Sequence, residues 1–170
     1  METINRIKDL SPGIVKLFAL PIYNIEKIVN DTVFIKDTNA YYLFNFASDS
    51  ILVEYEPLKD DPGDSYQIDI SGFLPGESIL NTKKLNIIRK YRYLIIYQES
   101  DGSFRMIGNY NAGLQMSIKY NSGNRDNQTK GYYVYFSAKL LNHPKPSTPY
   151  LKKGNDEIVL QDDGATAATN

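Results

Sequence analysis

The chain has 170 residues, a formal net charge of -1 and no cysteine, and its 42% of hydrophobic residues suffices to fill one core. A domain of that size needs no metal or disulfide staple, and without cysteine it has neither a disulfide framework nor a thiolate metal site. A charge so close to zero excludes a field strong enough to hold nucleic acid or anionic membrane as the main activity, and no apolar run approaches the roughly 20 residues of a membrane span. The N-terminus, Met1-Glu2-Thr3-Ile4-Asn5, lacks a basic region followed by an apolar one, so the expectation is a soluble protein made in the cytoplasm.

Residues 1–10 are expected to form an arm, and residues 11–142 the domain. Gly13-Ile14-Val15-Lys16-Leu17-Phe18-Ala19-Leu20 reads as the first strand, with Pro12 and Pro21 as its limits. Ile25 to Val29, Thr32 to Lys36, Tyr41 to Phe46 and Ile51 to Tyr55 are short β-type segments separated by Asn30-Asp31, Asp37-Thr38-Asn39 and Ser48-Asp49-Ser50, a spacing that suggests a meander. A loop containing Pro57 and Asp60-Asp61-Pro62-Gly63-Asp64 is expected next, followed by a strand from Tyr66 to Ile70 with one polar face. Pro75-Gly76 then leads into a helix from Glu77 to about Ile88, with an acid in its first turn, Lys83, Lys84 and Arg89 towards its end, and an apolar stripe of Leu80 with Ile87 or Ile88.

From Tyr91 to Lys139 the chain reads as antiparallel strands with a turn signal at each reversal. Tyr91 to Tyr97 is apolar on both faces, Asp101-Gly102 supplies the positive φ angles of a tight hairpin, and Phe104 to Gly108 returns. Leu114, Met116, Ile118 and Tyr120 alternate with Gln115, Ser117 and Lys119, as in a half-buried strand. After a polar loop from Asn121 to Lys130, Gly131 to Lys139 forms an aromatic strand. The fold class is therefore mainly β, an antiparallel sandwich or partial barrel with one flanking helix and an extended C-terminal arm. Residues 143–170, opened by His143-Pro144-Lys145-Pro146, are expected to be a proline-rich tail that orders on a neighbour, with Glu157 to Leu160 able to add as a strand.

Catalytic chemistry finds little support in these residues. The only histidine, His143, lies in that proline-rich segment. The acidic stretch Asp60 to Asp64 lacks the alternating oxygen ligands and closing Glu of a calcium loop and reads better as a solvated turn. Phosphate-loop and nucleophile-elbow motifs are absent from the sequence, and neither an enzyme nor a cofactor is expected. Tyr93, Tyr97, Tyr133 and Tyr135 lie within strands and suggest core or subunit interface more than a platform for bases or sugars.

Charge segregation is the sharper signal. Glu54, Glu56, Asp60, Asp61 and Asp64 lie in one stretch against Lys59, and Lys83, Lys84, Arg89, Lys90 and Arg92 lie in another without an acid. Two solvated patches would account for this pattern. The functional reading is a head-to-tail contact in which the acidic stretch of one subunit meets the basic helix end of the next, closing into a ring. Glu54, Glu56, Asp60, Asp61, Lys83, Lys84, Lys90, Asn121, Asn124 and Arg125 are the candidate interface residues.

Two segments carry a resemblance. Pro12 to Leu20 is similar to the glycine-led strand near the N-terminus of small structural proteins from tailed phages of gut Bacteroides-type bacteria, including crAss-like phages. The second segment runs from Leu94 through Asp101-Gly102, Phe104-Arg105-Met106-Ile107-Gly108, Gly113-Leu114, Tyr120-Asn121-Ser122-Gly123 and Arg125-Asp126 to Gly131-Tyr132-Tyr133-Val134-Tyr135-Phe136-Ser137-Ala138. It resembles the group's order of strand, hairpin, short strand, glycine-led strand and aromatic strand. The loop here is longer and more basic, and the tail lies outside the pattern.

The resemblance implies a tail-tube-like virion component of the neck or tail, a homo-oligomeric ring or connector assembled in the host cytoplasm. Its partners would be itself, other neck or tail proteins, and DNA passing without sequence-specific binding, with no membrane. The loops Tyr110 to Ala112 and Asn121 to Lys130 would touch the adjacent subunit. The alternative is a monomeric β-sandwich module that binds glycan or single-stranded nucleic acid through exposed tyrosines.

Overall fold

The computed structural model describes residues 13–38, 41–47, 49–60, 63–123, 129–141, 146–147 and 149–158. In chain order the elements are β1 (Ile14–Pro21), β2 (Ile25–Val29), β3 (Thr32–Ile35), β4 (Tyr42–Phe44), β5 (Leu52–Asp60), β6 (Gly63–Pro75), α1 (Ile79–Ile88), β7 (Arg92–Glu99), β8 (Phe104–Ile107), β9 (Leu114–Asn121), β10 (Gly131–Leu140), β11 (Pro146–Ser147), β12 (Tyr150–Lys153) and β13 (Asp156–Ile158). Among the described residues the fold is mainly β with one α-helix, and its open sheets fit a sandwich, not a closed barrel.

β1 and β7 are central because both of their faces are apolar. They pair antiparallel from Ile14↔Glu99 to Pro21↔Tyr93, and successive side chains enter opposite cores. Leu17, Ala19, Tyr93, Ile95 and Tyr97 enter a first core with Phe44, Ile68, Leu85, Ile88, Val134 and Phe136. Phe18, Leu20, Leu94 and Ile96 enter a second core with Ile25, Val33, Ile35 and Leu151. The unalternating run Tyr93 to Tyr97 is the sequence signature of that two-sided burial.

The nine-stranded sheet has the order β11-β8-β7-β9-β10-β6-β5, with β1 joining β7 to β4. β9 meets β7 only at Arg92↔Gln115 and Tyr93↔Leu114, and the sheet turns a corner there. The layer β9-β10-β6-β5 thereby lies over β1 and β7, with the Phe136 ring edge-on to Tyr93 at 5.7 Å and the Tyr55 and Tyr97 hydroxyls 2.6 Å apart. A four-stranded sheet, β13-β12-β3-β2, covers the other face of β1 and β7.

Several sequence expectations change here. The expected meander is divided: β2 and β3 form a hairpin in the small sheet, β4 pairs with β1, and β5 pairs with β6. The expected acidic loop from Pro57 to Asp64 is largely strand, since β5 and β6 pair from Leu52↔Ser71 out to Asp60↔Gly63. Pro57 is tolerated because β5 is an edge strand, where a missing N–H breaks no ladder bond on the open side.

The separate C-terminal tail is also revised. β11 pairs with β8, β12 runs parallel to β3 from Tyr150↔Thr32 to Lys152↔Phe34, and β13 turns back on β12, so residues 146–158 include strands of the chain's own sheets. The expected arm at residues 1–10, His143, and Val159 and Leu160 of the proposed added strand lie outside the described residues.

At the hairpin between β7 and β8, only Gly102 has positive φ, at 86°, and the Asp101 carboxylate instead accepts the Ser103 N–H at 2.8 Å. Gly131 at the head of β10 is required for space, because an added Cβ would lie 2.2 Å from the Leu74 carbonyl oxygen and 2.8 Å from the Phe73 ring. Gly131→Ala is expected to cost about 2 kcal/mol through overpacking, read as a melting temperature lower by several degrees.

Candidate functional site

The helix is the first of two surfaces that stand out. The Ser78 hydroxyl accepts the Asn81 N–H at 3.0 Å as N-cap, which places Glu77 outside the helix instead of in its first turn. Glu77 pairs with Lys130 and accepts the Tyr120 hydroxyl at 3.0 Å, and these contacts hold its carboxyl below the usual carboxylate range. The far end of the helix is tied down by the Tyr93 hydroxyl, which donates to the Ile88 carbonyl at 2.6 Å.

The helix has two opposed apolar stripes, where the sequence suggested one. Leu85 and Ile88 are buried in the first core. Ile79, Leu80 and Ile87 are 78%, 75% and 57% exposed, so Leu80 and Ile87 do not share the buried stripe with Ile88. At 100° per residue, Lys83 falls among these three outward side chains and Lys90 lies just beyond the last turn. Lys83, Arg89 and Lys90 are exposed, and none joins an ion pair among the described residues. Lys84 lies to one side, its Nζ 5.8 Å from the centre of the Tyr42 ring. It lines a groove of about 480 Å³ with Tyr42, Asn45, Asn81 and Tyr132.

The second surface is the outer face of the layer β5-β6-β10-β9. Strand register aligns Leu52, Ser71, Tyr135 and Ser117 in one row, with Phe73, Tyr133 and Lys119 in the next. On the other side of the Leu52 row come Glu54, Asp69, Ser137 and Gln115, then Glu56, Gln67 and Lys139. Phe73 and Tyr133 touch with ring centroids 4.9 Å apart, and Tyr133 and Tyr135 stack at 6.5 Å. Glu54, Glu56 and Asp69 thus form an acidic corner beside an exposed apolar and aromatic band.

The candidate interface residues divide accordingly. Glu54 and Glu56 share the outer face, while Lys83, Lys84 and Lys90 cluster at the helix. Asp60 ends β5 with its side chain outside the described residues, and Asp61, Asn124 and Arg125 lie outside them altogether. Asn121 ends β9 half-buried, its side-chain oxygen accepting the Gly123 N–H at 3.1 Å, which makes it a local loop anchor. The loop at Tyr110 is a tight turn in which the Asn109 side chain accepts the Asn111 and Ala112 N–H groups, both at 2.8 Å.

No family model matches the chain, and neither a curated protein nor a solved structure matches it. Among the described residues no group of three or more His, Cys, Asp or Glu is placed to hold a metal ion, and no helix is long and apolar enough to cross a membrane.

The tyrosines divide as well. Tyr93 and Tyr97 are core residues, and burial pushes both phenols well above their ordinary value. Tyr133 and Tyr135 are exposed because they alternate with buried Tyr132, Val134 and Phe136 along β10. The residues missed in the sequence are Ile79, Leu80 and Ile87 as an outward stripe, and Leu52 and Phe73 on the sheet. Leu52 did carry a signal, since it alternates with Glu54 and Glu56.

Proposed function

We propose that this chain is a structural subunit that assembles with copies of itself, as a ring or tube segment in the neck or tail of a phage virion. The observation that carries the reading is the doubly apolar helix. After the chain has filled both its cores, Ile79, Leu80 and Ile87 remain outside, gathered on one helix face. Single exposed aliphatics are ordinary, but a contiguous apolar stripe rimmed by cations marks an interaction surface. The phage assignment draws on the glycine-led first strand and the strand series from Leu94 to Ala138. The near-neutral charge suits a conduit, because a strongly basic lumen would retain the DNA it must pass.

Purified protein at tens of micromolar is expected to elute as a discrete oligomer by size exclusion with light scattering, and to form rings or short tubes in negative stain. A second reading, a monomeric module for glycan or single-stranded nucleic acid, draws on the exposed rings of Tyr133 and Tyr135 and the half-buried Phe73 beside them. A stable monomer that retains an oligosaccharide or oligonucleotide would favour that reading and overturn assembly.

A further inference from the structure

We infer that the outward stripe of α1 in one subunit docks on the outer face of the β5-β6-β10-β9 layer of a second copy, an inference that rests on the assembling role proposed above. Charge complementarity favours this occupant. The helix presents Lys83 and Lys90 around Ile79, Leu80 and Ile87, and the sheet presents Glu54, Glu56 and Asp69 beside Leu52, Tyr133 and Tyr135. The helix surface is basic around its apolar stripe, and the sheet face is acidic at its Glu54, Glu56 and Asp69 corner, with Lys119 and Lys139 on the β9 and β10 side of the same face.

Dimensions agree as well. A helix of 10 residues is about 15 Å long, and four strands at about 4.8 Å spacing span about 14 Å, so α1 can lie across the four strands, along a row, with each end still on the layer. Lysines reach past an apolar contact by laying their methylene stems along it, which lets Lys83 meet a carboxylate while Ile79 and Leu80 seat against the rings. Within one subunit α1 spends its other stripe on the first core through Leu85 and Ile88, and the sheet's outer face points away from that core. The two surfaces therefore meet only between copies. Because they are different patches, one such contact between two copies leaves a helix and a sheet face free, so it runs head to tail and propagates into a closed ring or an open filament.

Charge exchange tests this directly. Lys83→Glu with Lys90→Glu, and separately Glu54→Lys with Glu56→Lys, should each weaken assembly by about 10-fold or more, since each places like charges opposite one another. All four changes in one chain should restore it. Every altered site is exposed, so the melting temperature of each dilute variant serves as the control for folding. The contact should also weaken as salt rises from about 0.1 to 1 M.

A wild type that assembles, with both double variants impaired and the quadruple variant restored, is the expected pattern. If the wild type assembles and the double variants do so equally well, or the quadruple variant is not restored, the docking is wrong while the assembling role stands. A wild type that remains monomeric overturns both.

Discussion

A chain ending at Asn142 is expected to lose the single cooperative melt of the full protein. The truncation removes β11, β12 and β13, and with them Leu151, which is fully buried in the second core beside Phe18, Leu20, Ile25, Val33, Ile35, Leu94 and Ile96. Without β12, the β2-β3 hairpin loses its parallel partner, and the layer that shields the even-numbered face of β7 is reduced to two strands. A two-stranded hairpin is marginal on its own, so both the hairpin and the core beneath it should loosen.

The point variant Leu151→Ala, with the whole chain in place, should cost about 3 kcal/mol, a large part of the roughly 5–15 kcal/mol available to a domain. Thermal melts followed by circular dichroism, and urea titrations of the three proteins, decide the matter. Equal midpoints and equal urea slopes for the full and truncated chains would show that 146–158 add nothing to the domain. The sequence alone pointed the other way. His143 to Pro149 breaks any strand pattern, and the short segments after it are too polar to announce a core strand.

What was legible in the sequence follows the range of the interactions. β1, β7, β9 and β10 are written in local patterns: a two-sided apolar run for β7, strict alternation for β9, aromatic alternation for β10. The parallel pairing of Leu151 with Val33 leaves no local mark, because it joins segments far apart in the chain. Pro57 and the carboxylates after it made the β5-β6 hairpin look like a loop, although proline and charge are also what an edge strand carries to discourage unwanted pairing.

The candidate surfaces were half legible for a similar reason. Charges could be read directly, so Glu54, Glu56, Lys83 and Lys90 were singled out. The apolar component could not, because opposed stripes on α1 cancel the 3.6-residue period that reveals a single one. For tyrosines, residue type gave no answer, and the phase of the strand alternation put Tyr132 inside and Tyr133 outside.

Stability should hold as pH rises to about 10 and fall steeply above it, because the molecule keeps several phenols neutral in its first core. For Tyr93 the main cause of the raised value is burial, helped by the neighbouring Tyr42, Tyr23 and Tyr91. For Tyr97 burial is again the main cause, followed by its hydrogen bond to Tyr55, whose own phenol burial also pushes upward.

In the unfolded chain these phenols ionise near pH 10, while in the folded chain they do not. Their contribution is therefore fully present below about pH 10 and is lost as pH climbs towards the raised folded values. Each such group removes about 1.4 kcal/mol per pH unit, so Tyr93 and Tyr97 together remove about 3 kcal/mol per unit. A net stability of roughly 5–15 kcal/mol is then largely spent within a few units. Phenolate absorbance from the buried rings of Tyr93 and Tyr97 should accordingly appear in a cooperative step coincident with loss of the β-sheet circular dichroism signal. Tyr97→Phe should flatten the alkaline slope by about half, because Tyr93 remains. Ionisation of Tyr93 and Tyr97 near pH 10, with the fold intact throughout, would contradict burial as the cause and reopen their placement in the core.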